Sequence, residues 1–360
     1  MTIRSTVAGA TVLAGVAAGC SAVTPSAPPD GSPGGLESVR QGNRISGRVI
    51  AISVDGLTPA SVRRLGREGT PALHRMMRQG TGTLNARTLR EKTRTLPNHT
   101  TMVTGRRATG PQGHGITVND DTGRTVHHAA GHHVDSMFTV VHDRGGSTAM
   151  YVAKEKFALL DRTWNAANGG GDRVGRNDGR DKIGRYHRDD ERSLVRSLVN
   201  RLRTRPDALS FVHLALPDAA GHRHGFGSPR YLTAVRRVDA LVGRILRTVA
   251  ARPSLRRTTT VILTSDHGGR GREHRDPTRR ADFTIPFLVW GAHVTRGADL
   301  YRLNPQRQAP GRSRTDYRES QPVRNGELAN LATDLLGLPR VPGSVFNAGQ
   351  GLRVAAGGVA

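Results

Sequence analysis

Four short apolar runs punctuate the chain: RVIAISV at Arg48–Val54, DALSFVHLAL at Asp207–Leu216, TTTVILT at Thr258–Thr264, and a fourth at Thr284–Trp290. Runs of this length without polar alternation predict strands buried on both faces, as in a parallel sheet. A shorter run at Ala149–Val152 predicts another. Helical periodicity fills the gaps. Tyr231, Val235, Val238, Val242, Ile245 and Val249 alternate at spacings of four and three, the apolar stripe of an amphipathic helix. Leu194, Leu198 and Leu202 mark a second helix, and Leu328–Leu336 a third, stopped by Gly337 and Pro339. Thr58-Pro59 supplies a cap and a first-turn proline for a fourth. There is no internal repeat. The alternation of strands and helices predicts an α/β sandwich with a mostly parallel central sheet flanked by helices.

Acidic residues fall where three of these strands end. Asp55 closes the first, Pro217-Asp218 the second, and Ser265-Asp266-His267 the third. Ligand sites of open α/β sheets lie at the carboxyl ends of the strands, so residues far apart in sequence converge on one edge. His222 follows Asp218 by four residues and His274 follows His267 by seven. Mixed carboxylate and imidazole donors suit Zn²⁺, Mn²⁺ or Fe rather than Ca²⁺ or Mg²⁺. Adjacent ligands such as Asp266 and His267 can face different ions, which points to two divalent metals. His222 and His224 compete with His274 for the last place.

A second feature is Thr93-Arg94-Thr95-Leu96-Pro97-Asn98-His99. Pro97 fits a first helical turn, where free backbone N–H groups would face an anion. A divalent ion beside Thr95 would lower its hydroxyl pKa and make it a nucleophile; without one, Thr95 reads as a helix N-cap.

These motifs together resemble the nucleotide pyrophosphatase/phosphodiesterase family of the alkaline phosphatase superfamily. Thr95-Leu-Pro-Asn98-His99, Val103-Thr104-Gly105, His114-Gly115-Ile116 and Asn119 are similar to its nucleophile region. Pro217-Asp218-x-x-Gly221-His222 and Thr264-Ser265-Asp266-His267-Gly268-Gly269 are similar to its metal motifs, and the likeness runs from about Val49 to Phe346. The resemblance implies an alkaline-phosphatase-like fold and a metal-dependent hydrolase of phosphodiester or pyrophosphate bonds. It assigns Asp55, Thr95, Asp266 and His267 to one metal, and Asp218, His222 and His274 to the other. Thr95 would attack phosphorus and form a covalent phospho-Thr intermediate, and Asn119 would hold a non-bridging oxygen. Leu96 stands where the family has an aromatic residue, and only six residues separate His267 from His274, where nucleotide-cleaving members carry a long insert. Residues that would sandwich a nucleobase are therefore not identified. A phosphomonoesterase or phosphonate hydrolase on the same site stays open, as does an inactive anion-binding surface lipoprotein. A sulfatase is disfavoured, because no Cys or Ser occurs in a C/S-x-P-x-R context.

Composition adjusts this picture only modestly. Lys and Arg number 54 against 29 Asp and Glu, for a formal charge of +25; four are Lys (Lys92, Lys154, Lys156, Lys182), leaving 50 Arg. Aromatic residues make up 4%, and no aromatic-interleaved basic stripe appears, so specific nucleic-acid binding is not expected. The positive field favours a small anionic phosphoester substrate. The single Cys excludes an intrachain disulfide and a Cys-based zinc cluster. It closes a short apolar segment as Ala17-Ala18-Gly19-Cys20, which resembles a lipoprotein signal. The expectation is a signal peptide over residues 1–20, a lipid anchor at Cys20 that holds the exported protein on a bacterial membrane facing outside (or, with ordinary signal-peptidase cleavage, a secreted protein), a Pro/Ser/Gly-rich tether over 21–47, and one catalytic domain over 48–360. Oligomeric state is not indicated. Bland readings cover the rest. His127-His128 and His132-His133 resemble a metal tract but read better as a solvated loop, Asn168–Gly184 reads as a surface loop and His213 as a satisfied core residue; Lys154 and Lys156, just past the Ala149–Val152 run, are within reach of a substrate phosphate, the less favoured of their two readings.

Overall fold

A computed structural model describes residue 45 and residues 47–175 and 177–356; the expected signal segment with Cys20, and all but two residues of the 21–47 tether, lie outside them. Eight strands, β1 (Arg48–Val54), β2 (Thr81–Arg87), β3 (Thr148–Val152), β4 (Tyr186–Arg188), β5 (Leu209–Leu214), β6 (Thr259–Thr264), β7 (Thr284–Gly291) and β8 (Ala298–Asp299), form one sheet ordered β4-β3-β5-β1-β6-β7-β2-β8. The apolar runs become strands because both faces are covered. In β1, Val49 and Ala51 pack into one core and Ile50, Ile52 and Val54 into another. Burying each such aliphatic side chain contributes roughly 1.5–3 kcal/mol before entropy is counted.

β1 lies between β5 and β6, parallel to both, and β3 and β4 continue the parallel set. β7 is antiparallel to β6 and to β2. Its unbroken apolar run reports two-sided burial, with Phe287 and Val289 in one core and Leu288 and Trp290 in the other, and burial does not fix strand direction.

The stripe from Tyr231 to Val249 lies buried on the Pro229–Ala251 helix, capped by Ser228, whose side chain accepts from the Tyr231 N–H. With the Glu191–Thr204 and Pro71–Gln79 helices it covers one face of the sheet. The Thr95–Thr104 and Leu328–Asp334 helices contribute to the core on the other. Thr58 caps the Pro59–Gly69 helix as expected, its hydroxyl accepting from Ser61 at 3.1 Å. The Asp207–Leu216 run is shorter as a strand: β5 stops at Leu214, and Leu216 opens a helix to His224 with Pro217 in its first turn. The His127-His128 pair lies on a short helix, Val126–Ala130, rather than in a loop, with the His127 ring stacked on His133.

Candidate metal centre and active site

Parallel register brings the strand-end residues together. Val54 pairs with Leu214 and Ser53 with Thr264, so the chain leaves β1, β5 and β6 at one level. Asp55 is the first residue past β1, Asp266 and His267 the second and third past β6, and Asp218 sits in the first turn of the Leu216–His224 helix. That helix places Asp218 and His222 four apart on one face, with Asp218 Oδ1 3.4 Å from His222 Nε2. His274 Nε2 lies 3.1 Å from His222 Nε2 and 3.7 Å from Asp218 Oδ1. Asp55 Oδ1 and Asp266 Oδ2 lie 3.3 and 3.2 Å from His267 Nε2. The His267 and His274 rings stack with centroids 3.5 Å apart. Two ligand groups result by geometry: Asp218, His222 and His274, and Asp55, Asp218 and His267. Asp218 belongs to both, while His224 belongs to neither.

Each imidazole is held by its far nitrogen. Nδ1 of His222, His267 and His274 bonds the backbone carbonyls of Arg272 (2.9 Å), Gly268 (2.8 Å) and Thr93 (2.7 Å). In a neutral imidazole a donor at Nδ1 leaves Nε2 as a lone pair facing the cluster, the arrangement that orients metal-binding histidines. Asp55 Oδ1, Asp218 Oδ1, Asp266 Oδ2 and His267 Nε2 are all buried without a hydrogen-bond partner among the described residues. Four unmet polar atoms in one cluster carry a large desolvation penalty, which cations would offset.

Lys154 binds the outer oxygens of two of these carboxylates, Asp55 Oδ2 at 2.7 Å and Asp218 Oδ2 at 2.6 Å. His213 Nε2 reaches Asp55 Oδ2 at 2.9 Å, so this buried histidine orients a candidate ligand besides filling the core. The titration of the cluster is displaced accordingly. Burial raises the Asp55 carboxyl, but Lys154, His213 and His267 outweigh it and hold the group well below the usual range. Burial and the neighbouring Asp55 charge push Asp266 up to about 8. His267 is lowered by burial but raised more by Asp266, Asp55 and Asp218, and reaches about 9. The sequence offers Lys154 a substrate phosphate at most, whereas the structure sets it on the two carboxylates. Its signal was rarity, one of four lysines among 50 arginines: a compact ammonium fits between two carboxylates where a planar guanidinium does not.

Thr95 opens the Thr95–Thr104 helix, with Pro97 in the first turn, but the N-cap is Arg94, and Thr95 caps nothing. The expected row of free N–H groups is largely spent. Leu96 N–H donates to Asn119 Oδ1 at 2.9 Å, Asn98 N–H to Arg94 O at 3.2 Å, and proline has none. The peptide around Thr95 is tied to the cluster: His274 holds the Thr93 carbonyl, and His99 Nδ1 bonds the Thr95 carbonyl at 2.7 Å while lying 3.6 Å from Asp266 Oδ2. Asn119 is clamped through Oδ1 by Leu96 and through its carbonyl by Lys156 Nζ at 2.6 Å, which leaves its amide NH₂ to donate elsewhere. Phe226, absent from the sequence reading, explains two motif glycines. A Cβ on Gly221 or Gly269 would lie 2.6 or 2.7 Å from its ring.

A mostly parallel sheet flanked by helices, with carboxylates and imidazoles converging at its strand ends, defines an alkaline-phosphatase-like α/β hydrolase. The profile of the type I phosphodiesterase / nucleotide pyrophosphatase family matches residues 49–334, and the chain belongs to that family of phosphodiester and pyrophosphate hydrolases. No curated protein matches it. Among solved structures it is similar to murine ectonucleotide pyrophosphatase / phosphodiesterase 5, an inactive variant in complex with AMP (TM-score 0.59, 16% identity, 85% of this chain and 99% of that one). It is also similar to the human protein of that name (0.56, 16%, 82% and 96%). A structure from Bacteroides thetaiotaomicron work on glycosaminoglycan metabolism follows (0.54, 14%, 81% and 73%). At these identities the likeness is one of fold.

Proposed function

We propose that the chain cleaves phosphodiester or pyrophosphate bonds with Thr95 as nucleophile, assisted by two divalent ions, zinc being the best match to the donors. The observation that carries this reading is the set of four buried, unpartnered atoms on Asp55, Asp218, Asp266 and His267. Their donor types fit a carboxylate–imidazole metal site. Asp55, Asp266 and His267, with the Thr95 hydroxyl, would hold one ion, and Asp218, His222 and His274 the other. Bound there, the ions would supply the positive charge that acidifies the Thr95 hydroxyl and balances charge on the phosphoryl oxygens.

The chain's own groups do the rest. Thr95 Oγ attacks phosphorus in line, the P–O bond to the leaving group breaks, and a phospho-Thr ester forms; water then attacks that phosphorus and restores the hydroxyl. Asn119, with its side-chain Oδ1 committed to the Leu96 N–H, offers its NH₂ to a non-bridging oxygen. Lys154 holds the outer oxygens of Asp55 and Asp218 and so aims their other oxygens inward. The AMP bound by the murine neighbour supports a small phosphoester as the substrate class.

The test is turnover of bis-p-nitrophenyl phosphate and a nucleotide pyrophosphate, with p-nitrophenyl phosphate as the monoester control. Thr95→Ala, whose lost hydroxyl caps no helix, is expected to stay folded and to lose on the order of 10³–10⁶ in rate, and Thr95→Ser to keep part of it. A Thr95→Ala rate above about a tenth of normal, a loss under ~1.4 kcal/mol, contradicts the nucleophile assignment.

A further inference from the structure

Phe226 belongs to two places. Its ring centroid lies 6.1 Å from that of His222 and 6.3 Å from that of His274. With Gly269, two residues past His267, it also lines a cavity of about 440 Å³. Six arginines line that cavity, Arg63, Arg64, Arg270, Arg279, Arg280 and Arg312, and no carboxylate does. The arginine-rich composition alone does not account for this. Three other cavities are lined by arginines too, but always with acids: Glu68 and Asp239, Asp207, or Asp190 and Glu191.

The six guanidinium groups are poorly neutralised. Arg279 reaches Asp276 and Asp282 only at 3.8 and 3.9 Å. The other five make no ion pair among the described residues, and all five are exposed. Arg64 is steered by a 3.0 Å hydrogen bond to the Gly227 carbonyl. Like charges gathered around a concave surface repel, and a multiply charged oxyanion reverses the sign of that energy. Guanidinium forks match tetrahedral oxyanions bidentately.

We propose that this cavity binds a chain of two or more phosphates. The group is either the non-reacting part of the substrate or a separate polyphosphorylated ligand. Its connection to turnover rests on the function proposed above; the binding itself does not.

Calorimetry of the full chain with inorganic tripolyphosphate tests the site, before and after dialysis against a chelator. Arg63→Gln/Arg64→Gln and Arg270→Gln/Arg312→Gln change exposed side chains, and unchanged melting temperatures check their folding. Each pair is expected to weaken binding at least tenfold, and the wild-type affinity to survive chelation and fall steeply with salt. No wild-type binding, affinities in both pairs within twofold of wild type, or binding abolished by the chelator would overturn the proposal. Inhibition kinetics against bis-p-nitrophenyl phosphate separate the two sources: competitive inhibition assigns the cavity to the substrate, non-competitive inhibition to a separate ligand. A chain without phosphodiesterase activity would refute the function proposed above and leave the calorimetric result standing.

Discussion

Lys154 and Lys182 each sit between two aspartates, at 2.7 and 2.6 Å from Asp55 and Asp218 in one case and 2.6 and 2.8 Å from Asp143 and Asp172 in the other. Histidines join both clusters, and both bring ligand-type atoms close enough to hold an ion. Their accounts of lone pairs differ. Around Lys182, His142 Nδ1 takes the Asp172 carboxylate at 2.9 Å, Asp172 Oδ1 accepts from the Val174 N–H, and Asp143 is partly open to water. None of these atoms is buried and unpartnered. Around Lys154, four are. Residue type and proximity therefore do not separate the two clusters, whereas unmet buried donors and acceptors do. The Lys182 cluster ties down a loop: Lys182 also bonds Trp164 and Thr148 through its backbone, which pins the Gly-rich segment the sequence presents as plain surface.

The same substitution in the two clusters should therefore fail in different ways. Lys182→Met removes the partner of two carboxylates. With Lys182 only 1% exposed, roughly 3 kcal/mol of stability should be lost, at the low end for a broken buried pair because Asp143 can rehydrate. Denaturant unfolding would register the loss, and turnover of the remaining folded protein should stay near normal. Equal stability of Lys182→Met and wild type would remove the structural role assigned to this cluster. Lys154→Met should act on the proposed metal centre instead. Losing a group that orients first ligands typically costs about 10–100-fold in metal affinity, so competition with a graded series of chelators is the readout. Unchanged metal affinity in Lys154→Met would mean that the lysine does not organise Asp55 and Asp218.

Much of the fold was legible from the apolar runs, since two-sided burial writes itself as unbroken Val, Ile, Leu and Phe; β1 coincides with its run, residue for residue. Short or half-exposed strands carry no such run. β2, TGTLNAR, and the three-residue β4 went unseen for that reason. The candidate ligands were legible because strand ends are marked by turn residues and the topology stacks those ends. The supporting groups were not. His213 lies inside an apolar strand, so its bond to Asp55 leaves no trace in the pattern. Phe226 follows Gly225 just past the end of the Leu216–His224 helix, bridged to Gly271, and the bare faces of Gly221 and Gly269 reveal what it does. The helix start at Thr95 departs from its sequence reading: Arg94 is the N-cap, and the Leu96 N–H expected to face an anion donates to the Asn119 side-chain oxygen.

The measurement that bears most directly on this account is metal content per chain, by elemental mass spectrometry after purification in zinc-containing buffer. We expect about two ions in wild type, as a two-metal hydrolase requires, and about one or fewer in His222→Ala and Asp266→Asn. Asp172→Asn, in the cluster whose lone pairs are already met, should leave the content unchanged. A wild-type chain without stoichiometric metal, or one that loses its metal through Asp172→Asn and keeps it through Asp266→Asn, would contradict the assignment.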